Sequence, residues 1–409
     1  MLETITENFR TILAGALVFT LSLTGAGAET FKVIYAFKGG SDGGRPLAGL
    51  TRDADGNLYG TTQLGGSADC GGCGTVFKIA PDGTKTVLYS FVGGSDGAFP
   101  SATLIRDAQG NLYGTTVQGG NDCHVKKGGC GTIFKIAPDG HETVLYAFKG
   151  HGDGGLPYSS LLADAAGDLY GTTYEGGDFN ACYKGCGTVF KLHPDGREKT
   201  LYTFHASSDG GYPYAGLIRD GSGNLYGTTS AGGGAIACGT IFRLTPKGSE
   251  TVLYDLLESD GCGPAARLFA DNSGNLYGTA EHGGYQGNAA CGGYYPYGCG
   301  TVFRLSRKGA FKVLHAFHAK DGDDPVSGVV MDAQGDLYGT TTLAGDVDAG
   351  TLYKISGRTR TIVHMFKAQD DGAFPFGDLT IDDAGILYGT AAGGGDPTCG
   401  CGTVYAVTP

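Results

Sequence analysis

The sequence has 409 residues and a formal net charge of -12, from 29 basic against 41 acidic side chains, a balance that argues against nucleic acid and anionic membrane as partners. Gly supplies 77 residues without a Gly-X-Y triplet, which excludes collagen. Hydrophobic residues make up 41% in short runs, which argues against disorder and for many short strands joined by tight turns.

Residues 1–28 differ from the rest. Residues 11–24 are apolar but shorter than a comfortable membrane span, and Ala26-Gly27-Ala28 is a small-residue cleavage pattern. The expectation is a signal peptide over 1–28 and a mature chain from Glu29 with no membrane association, although Glu3 and Glu7 outnumber the single Arg10. No Cys directly follows the apolar run, so a lipoprotein is not expected.

From there on one unit recurs. Leu-Tyr-Gly-Thr appears with its tyrosine at Tyr59, Tyr113, Tyr170, Tyr226, Tyr277, Tyr338 and Tyr388, spaced by 50 to 61 residues. A repeat of this regularity describes one domain over residues 29–409. In the second copy residues 102–107 read as a strand, 107–111 as a tight turn and 111–116 as a second strand. A Gly-rich loop follows to Cys130, then a third strand over 131–137, a Pro138-Asp139-Gly140 turn and a fourth strand over 143–148. Asp-Gly and Gly-Asn supply the positive φ that hairpins need, and Val, Ile, Tyr, Phe and Leu fill the strands. Four strands in a unit of about fifty residues describe a propeller blade.

The first repeat-like segment, residues 32–37, matches a fourth strand, and the last, residues 402–407, matches a third. Pairing them closes a ring and hides both sheet edges, so the predicted fold is an all-β, seven-bladed propeller. A linear solenoid would need capping repeats, and none is visible. First-to-second and third-to-fourth connections are short and share one face. Second-to-third and fourth-to-first connections are long and share the other, where binding is expected.

The run NLYGTT, a Gly-Gly loop, CGTVFKI, PDG, VLYSF and SDGxxP resembles the Gloeo-Verruco (GloVer) tandem repeat of secreted bacterial proteins, over residues 31–409. The resemblance implies export and often a C-terminal sorting or anchoring segment. It implies no particular activity or catalytic residues. Here the sequence ends at Pro409 directly after a strand, so a soluble exported form, secreted or periplasmic, is expected.

Twelve cysteines in an exported chain imply disulfides. Local pairing within the long loops joins Cys70 to Cys73, Cys123 to Cys130, Cys182 to Cys186, Cys291 to Cys299 and Cys399 to Cys401, leaving Cys238 to Cys262 as the sixth bond. A bridge closing eight residues contributes about 2.5 kcal/mol on the chain-entropy model, and holds a glycine loop in one shape. Cys70-Gly71-Gly72-Cys73 has zinc or redox spacing, but neither a strand–helix context nor a second such pair accompanies it.

An Asp-Gly-x-x-Pro element also recurs seven times, led by Asp42, Asp96, Asp153, Asp209, Asp260, Asp321 and Asp371. A ring of carboxylates around a cation competes with a repeated Asx turn, and turn spacing favours the turn. Asp53-Ala54-Asp55-Gly56-Asn57 has the look of a calcium loop, but its equivalents lack ligands and it reads as a hairpin. His315 and His364 stand where other units place a strand tyrosine, so core packing is expected of them. Glu281-His282 is the nearest approach to an acid–base pair, but no nucleophile, metal or phosphate motif accompanies it; neither catalytic residues nor a cofactor or metal is expected.

The strongest departure from the repeat is aromatic. The fifth long loop carries Tyr285, Tyr294, Tyr295 and Tyr297, and the third carries Tyr174, Phe179 and Tyr183, with Tyr212 and Tyr214 adjoining. Such residues on disulfide-held loops suit contact with a glycan or a protein. Mutual packing of the same rings would fill the Gly-rich loops instead, and the absence of Trp weakens sugar readings that need an indole. The expected function is a monomeric, non-catalytic exported propeller binding a glycan or protein on its long-loop face. An exported polysaccharide lyase or hydrolase and a structural cell-surface repeat protein are the alternatives.

Overall fold

A computed structural model describes residues 29–120, 123, 127–234, 237–284, 291, 298–345 and 347–409. Seven antiparallel sheets form a ring, one per repeat. Blade one runs through Thr51–Arg52, Leu58–Thr62, Thr75–Ile79 and Lys85–Ser90, each strand pairing with the next. Blade seven is completed from both ends of the chain, because Thr30–Ala36 lies beside Thr403–Thr408 with Val33 opposite Tyr405 and Tyr35 opposite Val404. The expected closure is therefore present. The hydrophobic cluster at that seam (Phe37, Leu50, Leu58, Phe77, Ile79 and Val404) repeats the positions filled between blades one and two by Phe91, Leu104, Leu112, Phe134, Ile136 and Val76.

Two local expectations change. The first strand of each blade is two residues long, as in Ile105–Arg106, not six. Seven such strands converge near the axis, where the segment leading into each one is bonded sideways to its neighbour instead of along its own sheet. In six of the seven blades the Thr after Leu-Tyr-Gly makes that bond, as where Thr115 donates to Ser159 O (3.2 Å), Thr172 to Ala215 O (3.0 Å) and, across the seam, Thr390 to Ala48 O (2.8 Å); Thr61 of blade one is buried without it. Blade two also carries an extra short strand, Ala98–Pro100, against Leu112–Gln118.

The repeated residues hold the blades together in three ways. A phenylalanine after each fourth strand meets the third-strand aromatic of the next blade edge to face, as in Phe37–Phe77 at 5.2 Å and Phe204–Phe242 at 5.2 Å. Leu256 takes that place before blade five. All these aromatics are fully buried, and such pairs contribute about 0.5–1.5 kcal/mol beyond area. The Asp-Gly-x-x-Pro carboxylate closes a turn, as expected: Asp42 accepts the Lys38 N–H at 2.8 Å and the Tyr35 hydroxyl at 2.9 Å. The hairpin carboxylate does likewise, Asp53 accepting the Asn57 N–H and the Tyr59 hydroxyl. His315 and His364 replace the tyrosine by pairing with Asp321 (3.3 Å) and Asp371 (2.8 Å), so they serve the turn as well as the packing.

The Gly of each Cys-Gly-Thr step makes a close backbone approach between blades. Gly74 has φ +100°, and a Cβ there would stand 2.5 Å from Thr62 O and 2.6 Å from Pro100 Cδ. Both obstacles belong to fixed backbone or ring atoms. Gly74→Val is therefore expected to destabilise the ring by about 3 kcal/mol or more, read as a lower urea midpoint; a midpoint within error of wild type would show that the seam is not close-packed. Among the described residues no helix is long and apolar enough to cross a membrane.

Candidate functional site

The Pro of each Asp-Gly-x-x-Pro element follows a residue in left-handed conformation: Arg45 (φ 57°), Phe99 (59°), Leu156 (56°), Tyr212 (57°), Gly263 (66°), Asp324 (54°) and Phe374 (58°). This conformation is costly for residues with a side chain, and it persists because the backbone is held on both sides. The Arg45 N–H donates to Cys401 O of the preceding blade at 2.8 Å, and Arg45 O accepts the Gln63 N–H at 3.0 Å. Tyr212 repeats this between Cys186 O and the Ser230 N–H.

The residue after the same Pro lines an axial cavity of about 560 Å³ in every blade: Leu47, Ser101, Tyr158, Tyr214, Ala265, Val326 and Phe376. Gln63, Tyr174, Ser230 and Glu281, each following a second strand, complete its long-loop end. Deeper lies a ring of small side chains broken by Arg267 and Asp378. Asp378 accepts the Gly328 N–H at 2.7 Å. Burial raises its pKa, against the Gly328 bond and the Arg267 charge. Glycines narrow the passage here, since a Cβ on Gly49 would stand 2.6 Å from Asp378 O.

One flank of the mouth is aromatic. Tyr158 and Tyr214 stack at 4.7 Å with 19° between planes, and Tyr174 meets both edge-on at 5.8 and 6.0 Å. Tyr212 leans on Tyr174 at 5.4 Å. Desolvation raises the phenols of Tyr158, Tyr174 and Tyr214, with the charge of Glu175 adding at the first two and that of Glu281 at the last two, so all three remain hydrogen-bond donors. The next flank is acidic. Glu281 lies 3.7 Å from His282, which lies 3.3 Å from Asp324 of the following blade. Burial raises the pKa of Glu281; that of His282 is raised too, because Asp324 and Glu281 outweigh its desolvation.

Of the aromatic residues expected at a site, Tyr174, Tyr212 and Tyr214 are brought together here. Phe179 is 39% exposed and sits 6.0 Å from His151, and Tyr183 is 94% exposed. Neither lines the cavity. Tyr285, Tyr294, Tyr295 and Tyr297 lie outside the described residues. Tyr158, Arg45, Arg267 and Asp378 were missed, although Tyr158 shares the repeat register of Tyr214, directly after the Pro. All twelve cysteines pair in the expected scheme, and the Cys238–Cys262 bridge ties blade four to the entry of blade five beside His282. A wider depression of about 800 Å³ between the hairpins of blades four and five is lined by ordinary repeat residues such as Asp220 and Asp271.

Fold and mouth together define a closed seven-bladed propeller whose axial channel opens between an aromatic and an acidic flank. The chain belongs to the Gloeobacter/Verrucomicrobia repeat family, whose model matches residues 13–183, 124–292 and 289–409. No curated protein sequence matches it. Among solved structures it is similar to an extracellular domain described as part of a one component system of B. thetaiotaomicron (10% identity, TM-score 0.59, 93% of this chain and 40% of that one). A second, from a hybrid two component system of the same organism, gives 12% identity and TM-score 0.54 over 93% and 41%. A protein described as a 6-phosphogluconolactonase of Bacteroides fragilis gives 16% identity and TM-score 0.50 over 84% and 88%. The chain thus spans about two fifths of the length of the extracellular domains it matches. At these identities the likeness is one of fold.

Proposed function

We propose that this is an exported binding propeller that takes a glycan at the long-loop mouth of its channel, over blades three to five. The observation carrying this reading is the stacked Tyr158–Tyr214 pair with Tyr174 beside Glu281. Tyrosine offers a flat apolar face to the C–H face of a sugar ring and a hydroxyl to its oxygens. Carboxylate and guanidinium groups at the same rim, from Glu281 and Arg45, suit the remaining hydroxyls. A volume of about 560 Å³ falls within the range of ordinary ligand pockets. Removal of residues 1–28 and a secreted or periplasmic location accord with six disulfides, which form and persist outside the reducing cytoplasm.

The test is a glycan array followed by calorimetry on any hit. Replacing Tyr158, Tyr174 and Tyr214 together by Ala is expected to weaken binding by about 30-fold or more with the disulfides and the melting curve retained. Undiminished binding by the triple variant would sink the assignment. A lyase or hydrolase working at the same mouth is the second reading, favoured by Glu281 beside His282. A turnover screen on polysaccharides, with Glu281→Gln as control, separates the two.

A further inference from the structure

We propose that Glu281, His282 and Asp324 form a binding site for one divalent first-row metal ion at the junction of blades five and six. One ligating atom from each residue lies within 4.8 Å of the other two. Glu281 Oε1 lies 3.7 Å from His282 Nε2 and Asp324 Oδ1 lies 3.3 Å from Nδ1, and a single ion would take one of the two ring nitrogens together with the carboxylates.

The repeat itself supplies the control for this cluster. The same three positions at the other six junctions hold at most one carboxylate or imidazole, Glu175 at the junction of blades three and four. Blade two, for example, carries Val117 and Gln118, with Leu156 entering blade three. Three departures from the repeat therefore coincide in space at one junction, although Asp324 is distant in sequence. A fourth accompanies them. The left-handed position of blade five is Gly263, where the other blades place a side chain, and a Cβ there would stand 3.7 Å from Glu281 Oε2. The glycine leaves that carboxylate open to the cavity that Glu281 lines.

The backbone holding these groups is fixed before any ligand arrives. His282 exchanges both backbone bonds with Cys262 (2.7 and 3.0 Å), itself bridged to Cys238, and Asp324 O accepts the Thr342 N–H at 3.1 Å. Pre-set ligands of this kind lower the ordering cost of binding. One imidazole with two carboxylates suits Zn²⁺ or Mn²⁺ better than the all-oxygen preference of Ca²⁺ or Mg²⁺. Three protein ligands leave coordination positions open toward the cavity, for a hydroxyl or carboxylate of a bound molecule. The site stands independently of what the aromatic flank binds.

The experiment uses the oxidised, tag-free protein after chelator treatment and dialysis, titrated with ZnCl₂ or MnCl₂ alone and followed by calorimetry and by metal analysis after gel filtration. One ion per chain is expected. His282→Ala, Glu281→Gln and Asp324→Asn should each weaken binding by roughly 30-fold, whereas Tyr183→Ala, at an exposed ring that does not line the cavity, should leave it unchanged. Co²⁺ gives a second readout: visible absorption bands in the wild type that vanish in Glu281→Gln, a near-isosteric change that keeps the fold. Substoichiometric metal in the wild type, or an affinity unaltered in all three variants, would overturn the proposal.

Discussion

A chain lacking residues 29–37 is expected to lose its single cooperative melting transition and to associate through the blade it leaves open. Those residues provide the outer strand of blade seven, paired along its length with Thr403–Thr408. Without them that strand presents unpaired backbone groups, a template for pairing with a second chain. Phe37, fully buried against Phe77, disappears with them, as does Phe31, stacked on His364 at 3.8 Å and on Tyr405 at 5.3 Å. Loss of a buried Phe alone costs about 3–5 kcal/mol, a large share of the stability of any domain. Calorimetry and gel filtration of the truncated protein read the result. A monomer melting near the wild-type temperature would mean that the seam between blades seven and one contributes little.

Stability is expected to be greatest on the acidic side of neutrality, because of what faces the turn carboxylates between blades. Lys85 pairs with Asp42 at 2.8 Å beneath the Tyr35 and Phe37 rings, and Arg360 pairs with Asp321 at 2.9 Å. At three successive junctions the equivalent residue is instead a glutamate: Glu142 in the field of Asp96, Glu198 in that of Asp153, Glu250 in that of Asp209. Partial burial, then the neighbouring aspartate, lifts each to about 7; at Glu198 a Thr200 hydrogen bond and Lys149 oppose the rise. Among the described residues, the buried Oε1 of Glu142 and of Glu250 has no hydrogen-bond partner.

A carboxyl group raised on folding favours the native state when protonated. Its contribution is complete below the ordinary glutamate range near 4.5 and fades as pH climbs through 7. The hairpin aspartates act oppositely. Asp53, Asp107, Asp220 and Asp271 are lowered by their Asn and Tyr partners, which outweigh desolvation, so their support is lost as pH falls below the usual aspartate range. The melting temperature should therefore rise as pH is lowered from 8 to about 5 and drop again below about 4. Replacing Glu142, Glu198 and Glu250 together by Gln should flatten the neutral limb and raise the melting temperature at pH 8 by a few degrees. A neutral limb of unchanged slope in that variant would assign the effect elsewhere.

Much of this molecule was legible before any coordinates. The Leu-Tyr-Gly-Thr period and the mismatch of strands at the two ends pointed to a ring over a linear solenoid, and loop membership made local pairing the simplest disulfide scheme without fixing the connectivity. These are properties of local pattern and chain connectivity, and burial repeats them faithfully: Gly60 is glycine because the Phe77 ring crosses it, with a Cβ there only 2.7 Å from Cζ. The turn carboxylates were read correctly as turns, but not the tyrosine hydroxyls they hold, because donor and acceptor lie six or seven residues apart on different elements.

The mouth was only half legible. Tyr174, Tyr212 and Tyr214 stood out as departures from the repeat, whereas Tyr158 did not, although it follows its Pro as Tyr214 does. Which residue of a connecting segment faces the axis depends on the left-handed turn before the Pro, and the bonds that enforce it come from the neighbouring blade. Glu281 and His282 drew notice as neighbours in sequence, but Asp324 joins them only because one blade ends where the next begins. The chain's own order thus determined how many blades there are and how the circle shuts, since strand count and pairing are matters of period and edge. Only the tertiary structure decided which side chains meet at the axis, because that depends on contacts between blades that no single repeat contains.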